Sequence, residues 1–320
     1  MLTLFTTAKP FRGHFSVIQR NALKSWTLLH SGVEIVLFGD EEGSADIAKE
    51  FGLTHEPRVA KNEHGTALVN HMFERAQAIA RHDSVCYVNC DIILTSDFRR
   101  ALECLRTWTK PYLMIGRRWD TEITEPLDFS DPAWESRVVA LAKSTGFQRL
   151  YYNIDYFAFT RGLYQEIPPF AIGRLAWDNW LVWKARALKA PVADASAVVC
   201  AVHQNHDYSH HPRRTQGVWQ GEEARRNLKL AGGRRHSRTI QDATYKLGPE
   251  GPIKNKWYWL APFDRRMREA QQAASAFLRT HLWHPFLDKT RSLRHSIGLR
   301  NELLHPLRRR KNARRHWQDQ

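Results

Sequence analysis

The chain has 320 residues, 42% hydrophobic, 11% aromatic and 25% charged, proportions that belong to a folded globular protein and exclude a disordered or low-complexity one. Its formal net charge of +15 is unevenly spread: residues 1–200 hold 23 Lys/Arg against 23 Asp/Glu, and residues 201–320 hold 25 against 10. A neutral first part suits an enzyme core, and a basic second part suits an anionic partner such as a membrane surface, an acidic glycan or nucleic acid.

In chain order, Leu2 to Thr6 reads as a short buried strand. Residues 14–30 follow with Phe15, Ile18, Ala22, Trp26 and Leu29 at helical spacing, and Gly32 stops that helix. Val33 to Phe38 is a second strand closed by Gly39-Asp40. Ser44 is expected to cap a short helix ending near Gly52. Over residues 66–81 the side chains of Leu68, Val69, Met72, Phe73, Ala76, Ile79 and Ala80 share one helical face. Val85 to Leu94 (VCYVNCDIIL) is apolar except at Asn89 and Asp91 and reads as one central strand covered on both faces. Thr95 or Ser96 then caps a helix through about Thr107. A strand over Tyr112–Gly116, a helix over 131–145, a strand over Ile154–Thr160, a helix over 176–189 and a short strand over Ala197–Val202 complete the series.

This alternation predicts an α/β fold with a mostly parallel sheet and helices on both faces. Beyond residue 203 the rhythm fails. One helical stretch is expected near 221–231, another over 262–282, and the end, RRRKNARRHWQDQ, reads as a frayed basic tail. The expected organisation is a catalytic domain over 1–210 and a basic extension over 211–320. Cys86, Cys90, Cys104 and Cys200 form no C-x-x-C pair, so neither a disulfide framework nor a zinc site is expected. The opening MLTLFTTAKPF lacks the basic lead-in and apolar length of a signal peptide, and no run reaches the roughly 18 apolar residues of a spanning helix. The expected location is cytoplasmic, peripheral on the inner face of a membrane where the basic part docks.

In an open α/β sheet, ligands bind beyond the carboxyl ends of the strands. The polar residues falling there are Thr6, Thr7, Asp40, Asn89, Asp91, Asp155 and the segment His203–His206. An ionised Asp inside an apolar run is costly unless it is paired or bound to a metal. Asp91 could therefore hold a divalent cation, or accept loop hydrogen bonds at the start of the next helix.

With these residues in place, YVNCDIIL resembles the aspartate motif (D-x-D and its variants) of GT-A-type glycosyltransferases. Asn89 stands at the first aspartate position and Asp91 at the second. The resemblance covers about residues 1–210 and implies a nucleotide-sugar-binding domain that uses Mn²⁺ or Mg²⁺. Asp91 is then the expected metal ligand. A histidine after the last strand, His206 first and His203 second, is the expected additional one. The nucleotide is expected against Thr6, Thr7, Asp40, Lys61, Asn62 and Asn89, although Lys61 reads equally well as a solvated loop lysine. Asp155 stands where donor-sugar or acceptor contacts fall, unless it is a structural partner for Arg174 or Arg161. In Trp177-Asp178-Asn179-Trp180 the indoles and Asn179 are expected to bind sugar, with Asp178 as the general base for an inverting transfer. The competing reading is a capping Asp beside two core tryptophans. His210 and His211 read as solvated loop residues.

No phosphate loop, dinucleotide fingerprint or serine elbow occurs. A sugar-nucleotidyltransferase of related fold needs a Gly-rich, Arg-containing loop after the first strand. Here that loop is AKPFRGHF, with Arg12 but a single glycine. A basic binding protein for nucleic acid or acidic glycan is the reading from another class, and nucleic acid is its weaker partner because the basic part holds few interleaved aromatics. The expectation is a metal-dependent glycosyltransferase. It moves a sugar from a nucleoside-diphosphate sugar to a hydroxyl of a glycan or lipid-linked acceptor, in cell-surface polysaccharide or glycolipid synthesis. Residues 211–320 are expected to meet an anionic membrane.

Overall fold

The apolar runs and amphipathic stretches form, in order, β1 (Leu2–Thr7), α1 (Gly13–Thr27), β2 (Glu34–Phe38), α2 (Ser44–Phe51), β3 (Thr54–Glu56), α3 (Val69–Ile79), β4 (Ser84–Val88), β5 (Ile92–Ile93) and α4 (Ser96–Glu103). There follow β6 (Leu113–Ile115), β7 (Arg118–Thr121), α5 (Trp134–Thr145), β8 (Phe147–Gln148), β9 (Tyr156–Thr160), α6 (Trp177–Ala187), β10 (Val192–Asp194), β11 (Ala201–Gln204), α7 (Glu222–Leu230), β12 (Tyr245–Gly248) and β13 (Gly251–Lys254). The computed structural model describes residues 1–206, 219–261, 263 and 267. The chain divides into two compact units, Met1–Tyr258 and Trp259–Gln320. The expected helix over 262–282, the basic tail, and His210 and His211 lie outside the described residues, apart from 263 and 267.

Among the described residues the main sheet has nine strands in the order β13-β12-β10-β6-β9-β4-β1-β2-β3. β1 runs parallel to β2 and β4, β2 to β3, and β10 to β6 and β12. The antiparallel members are β9, between β4 and β6, and the edge strand β13. Alternation along each strand divides the core into two layers. Leu4 and Cys86 face a cluster with Trp26 of α1, Ala48 of α2 and Phe98 of α4. Phe5 and Tyr87 face the other side, against Phe73 of α3 and Trp180 of α6. This is the expected mixed α/β architecture with helices on both faces. Cys86 and Cys90 lie in the same layer, and all four cysteines are free.

Three expectations are corrected. VCYVNCDIIL is not one strand. β4 ends at Val88, paired with β1 and β9, and β5 pairs with β11 in a second sheet of order β5-β11-β7-β8. The chain turns between them, where Ile92 N donates to Asn89 O at 3.1 Å, so the Asn89-Cys90-Asp91 triplet spans the gap between two sheets. Ser44 does not cap α2 but is its first residue. The cap is Gly43, at φ 83°, where a Cβ would meet Phe11 at 2.9 Å. The first unit runs past the boundary expected at 210, because β12 adds a parallel strand beside β10 and α7 is bonded to the loop before α6, through Asn227 Nδ2 to Ala171 O and Leu175 O.

Candidate active site

Strand pairing assembles the site. β11 lies between β5 and β7, so His203 stands opposite Ile92 on one side and Asp120 on the other. Asp91, one residue ahead of β5, is drawn in by the same pairing. Its carbonyl accepts from Gln204 N at 3.2 Å and Gln204 Nε2 at 3.1 Å. Gln204 is fully buried, and its Oε1 accepts from Asn21 Nδ2 of α1 at 2.9 Å. Trp26 Nε1 donates to Ile92 O at 2.8 Å. His14 Nε2 lies 2.9 Å from Asn205 O. The short segment carrying Asp91 is thus fixed by α1 on one side and β11 on the other.

Asp91, His203 and His206 each turn one ligand atom into a space where these atoms lie within 4.8 Å of one another. Asp91 Oδ2 is 3.1 Å from His206 Nε2 and 3.8 Å from His203 Nε2, while Asp91 Oδ1 is buried without a hydrogen-bond partner. Burial alone pushes the Asp91 carboxyl upward. His203, His206 and Lys9 outweigh it and hold the group well below the usual carboxylate range. On its far side, His203 Nδ1 is 3.3 Å from Asp120 Oδ1. Asp120 is placed to orient the ring, and with a cation bound it would favour the proton on Nδ1 and leave Nε2 as the ligand atom, the arrangement usual for metal-bound histidines. The donor set passes the chemical test for a divalent cation: an ionised carboxylate with one unshared oxygen, beside two converging imidazole nitrogens.

A buried polar chain continues from Asp120. Arg118 Nε donates to Asp120 at 2.8 Å and its Nη1 to Asp155 at 2.7 Å, and Arg149 also pairs with Asp120. Burial raises Asp120, but His203, Arg118 and Arg149 together hold it below the usual range. Asp155 Oδ1 also accepts from Asn89 Nδ2 at 2.6 Å, and Asn89 Oδ1 accepts from Tyr87 OH at 2.8 Å. Asp155 therefore pairs with Arg118, not with Arg174 or Arg161, which pair with Glu223 and Asp83. Both ends of the Asn89 side chain are used inside this chain, so Asn89 orients Asp155 rather than offering itself to a nucleotide.

Asp178 sits in the first turn of α6, after Ala176 at φ 83°. Its Oδ1 accepts from Asn179 N at 2.8 Å. Burial first, with the negative charge of Asp155 added, pushes its pKa up to about 7. A carboxyl poised there can take up a proton near neutral pH. The residues around it are corrected. Trp177 is 5% exposed and packs edge-on to Tyr87 at 5.3 Å and near Phe157 at 5.5 Å. Trp180, equally buried, packs on Phe170 and Trp183. Neither indole presents a face to a sugar, because α6 turns both into the core. Asn179 donates from Nδ2 to Arg238 O at 3.0 Å, and its own carbonyl accepts from Arg238 N at 3.1 Å, so it fastens a loop.

At the end of β2 lies a cleft of about 450 Å³ lined in part by Asp40, Arg58, Lys61 and His71. Lys61 Nζ bridges to Asp40 at 2.7 Å and approaches Glu41 at 3.7 Å. Asn62 does not line it. Its Oδ1 accepts from His64 N and Thr66 N, and its Nδ2 reaches Glu223 at 2.7 Å, which makes it the fastener of its own loop. Thr6 is fully buried and donates to Thr7 O at 3.3 Å, and Thr7 faces Gly39, which holds φ 104°.

Sequence reasoning missed Asp120, Arg118, Arg149, Gln204 and Lys9. Arg118-Trp119-Asp120 carried a signal: on a strand, alternate residues share a face, so an Arg and an Asp two apart form a ready ion pair. The backbone of Lys9 is clamped at both groups by Gln19, Lys9 N donating to Oε1 at 2.6 Å and Nε2 donating to Lys9 O at 2.9 Å. Its ammonium lies 4.2 Å from the Phe15 ring centroid.

No protein-family model and no curated protein matches the chain. Among solved structures it is similar to glucosyl-3-phosphoglycerate synthase from Mycobacterium tuberculosis in complex with Mg²⁺ and uridine-diphosphate. That similarity has 14% identity and a TM-score of 0.43, over 73% of this chain and 80% of that one. The same synthase with Mn²⁺, UDP-Glc and glycerol 3-phosphate gives 15% identity and a TM-score of 0.45, over 73% and 80%. A mannosyltransferase from Pyrobaculum calidifontis in complex with GDP-Man and Mn²⁺ gives 14% identity and a TM-score of 0.39, over 63% of this chain and 56% of that one.

Proposed function

We propose that the chain is a metal-assisted glycosyltransferase that takes a sugar from a nucleoside-diphosphate sugar and gives it to a hydroxyl acceptor. The observation that carries the reading is the convergence of Asp91, His203 and His206 at 3.1 and 3.8 Å, with Asp120 behind His203. Asp91, His206 and His203 hold the cation, and two imidazoles beside one carboxylate favour Mn²⁺ over Mg²⁺. A cation bound there supplies charge neutralisation for the leaving diphosphate. The nucleotide lies along the carboxyl edge, towards the cleft of Asp40 and Lys61, with Thr7 at the mouth of β1. Lys9, held by Gln19 and close enough to Asp91 to lower its pKa, meets the phosphates from the other side.

Asp178 accepts the proton of the acceptor hydroxyl in an inverting transfer and orients the acceptor in a retaining one. Asp155, with Oδ2 buried and without a hydrogen-bond partner, stands beside it as the group left to meet sugar hydroxyls. The acceptor is a glycan or lipid-linked hydroxyl, consistent with polysaccharide or glycolipid synthesis at the inner face of a membrane. Among the described residues no helix is long and apolar enough to cross a membrane.

The test is a thermal-shift screen of UDP-, GDP-, ADP- and CMP-sugars, each with and without Mn²⁺. A shift that needs both ligand and metal supports the reading, since stabilisation follows specific binding to the folded chain. Equal shifts with and without Mn²⁺, or none with any sugar nucleotide, remove it.

A further inference from the structure

The main sheet carries a second cleft, of about 400 Å³, on the edge away from Asp91. β6, β10 and β12 run in parallel, and β9 relates β6 to β4 by two antiparallel pairings, so all share the direction of β1. Asp91 follows the carboxyl end of β4. Lys110, the Lys189–Pro191 segment and Thr244 line the second cleft just ahead of β6, β10 and β12, at the amino ends.

Five cations line this cleft, Lys110, Arg186, Lys189, Lys254 and Lys256, with no carboxylate among the lining residues. Four of the five are exposed. Arg186 lies over the Tyr258 ring, 4.9 Å from its centroid, and among the described residues no carboxylate pairs with any of the five. Like charges gathered without counter-charge repel one another and are relieved by an anion. Beside them stand large apolar side chains in water. Leu188, next to Lys189, is 49% exposed, and Trp257, next to Lys256, is 66% exposed.

We propose that this face docks the protein on an anionic lipid bilayer, with the cleft cations against phosphate headgroups and Trp257 and Leu188 entering the interface. The pairing of charge with an aliphatic and an indole favours lipid over nucleic acid. Lysines attract both, but Leu188 has no use against a base or a sugar-phosphate chain, whereas Trp and Leu gain by entering the headgroup boundary. The proposal is independent of sugar transfer and is read by binding alone.

The experiment is vesicle flotation of the full chain with phosphatidylcholine vesicles, with and without phosphatidylglycerol. The variants are a triple Lys110→Gln, Lys189→Gln, Lys256→Gln and a control of equal charge loss at exposed cations that do not line this cleft, Lys49→Gln, Lys143→Gln, Arg225→Gln. Wild type should float only with the anionic vesicles. The cleft triple should lose about tenfold or more of that binding while the control stays within about twofold. Trp257→Ala should weaken the binding that survives high salt, where charge is screened. Melting curves check folding, and if the triple is unfolded, single Lys256→Gln and Trp257→Ala carry the comparison. Equal losses in both triples, unchanged binding in the cleft variants, or binding of a single-stranded oligonucleotide through the cleft without binding to vesicles would overturn the proposal.

Discussion

His203 Nδ1 lies 3.3 Å from Asp120 Oδ1, while Nε2 of the same ring faces Asp91 at 3.8 Å. One imidazole thus connects the carboxylate proposed to hold a metal to a carboxylate that only orients it. Asp120 is the β7 partner of His203 and Asp91 directly precedes its β5 partner Ile92, so the arrangement is built into the register of β5, β11 and β7.

Asp91→Asn should abolish Mn²⁺ binding measured by titration calorimetry of the purified chain, with the thermal melt in chelator kept within a few degrees of wild type. Unchanged Mn²⁺ affinity in a folded Asp91→Asn chain removes Asp91 from the metal site.

Asp120→Asn keeps the size of the side chain but removes the negative charge that faces His203 Nδ1 at 3.3 Å. The expected effect is a loss of about 10- to 100-fold in Mn²⁺ affinity without loss of the site. Asp120→Glu, which keeps the charge, should recover part of it. An Asp120→Asn chain that binds Mn²⁺ as tightly as wild type rules out the orienting role.

The raised pKa of Asp178, about 7 against an ordinary 3.8, has two signatures. As a base it is competent when ionised, so transfer should rise with pH through about 7. Asp178→Ala should spare donor binding while removing that rise. For stability the sign is opposite. Between the ordinary value and about 7 the folded chain holds a proton the unfolded chain has lost, so stability falls as pH increases across that window. Asp178→Asn should flatten this part of the stability curve in urea melts at pH 5 and pH 8. A wild-type curve already flat between them contradicts the raised pKa.

Arg118→Met should be the most damaging single change in the polar chain. It removes one cation from two buried carboxylates, Asp120 and Asp155, and leaving buried charge uncompensated costs about 3–5 kcal/mol. Chemical denaturation reads it directly, and a loss below about 1 kcal/mol would show that Arg149 and Asn89 suffice.

Gly116 has no room for a side chain: a Cβ there would meet Tyr156 OH at 2.0 Å and Ser196 N at 3.2 Å. Gly116→Ala should destabilise by about 1–3 kcal/mol, and adding Tyr156→Phe should return part of the loss by removing the hydroxyl that blocks it.

Much of the architecture was legible because it follows from period and punctuation. β1, α1, β2, α3, β9 and α6 fall within a few residues of where apolar spacing places them. Asp91, His203 and His206 could be singled out as polar residues at strand ends, though not how they meet. The break in VCYVNCDIIL was hidden because an apolar run looks the same whether it crosses one sheet or passes from one to another. Only the hydrogen bonds of Asn89 and the pairing of β5 with β11 distinguish the two. Trp177 and Trp180 misled for a related reason: an indole beside Asp and Asn has the chemistry of a sugar platform, and burial is decided by the face of α6 that packs. β12 and β13 were missed because short strands rich in Gly, Pro and Lys carry little periodicity.

His206 and Asp91 are 115 residues apart in sequence and 3.1 Å apart in space. An ion held between them ties together two distant stretches of chain, as a disulfide does, and such a tie costs the unfolded chain much of its freedom. This protein has no disulfide among its four free cysteines. A cation at the proposed site would be a reversible cross-link set by supply: in the metal-loaded chain, chelator should loosen β5 and β11 before the rest of the sheet, and amide hydrogen exchange at Gln204 would register the loosening first.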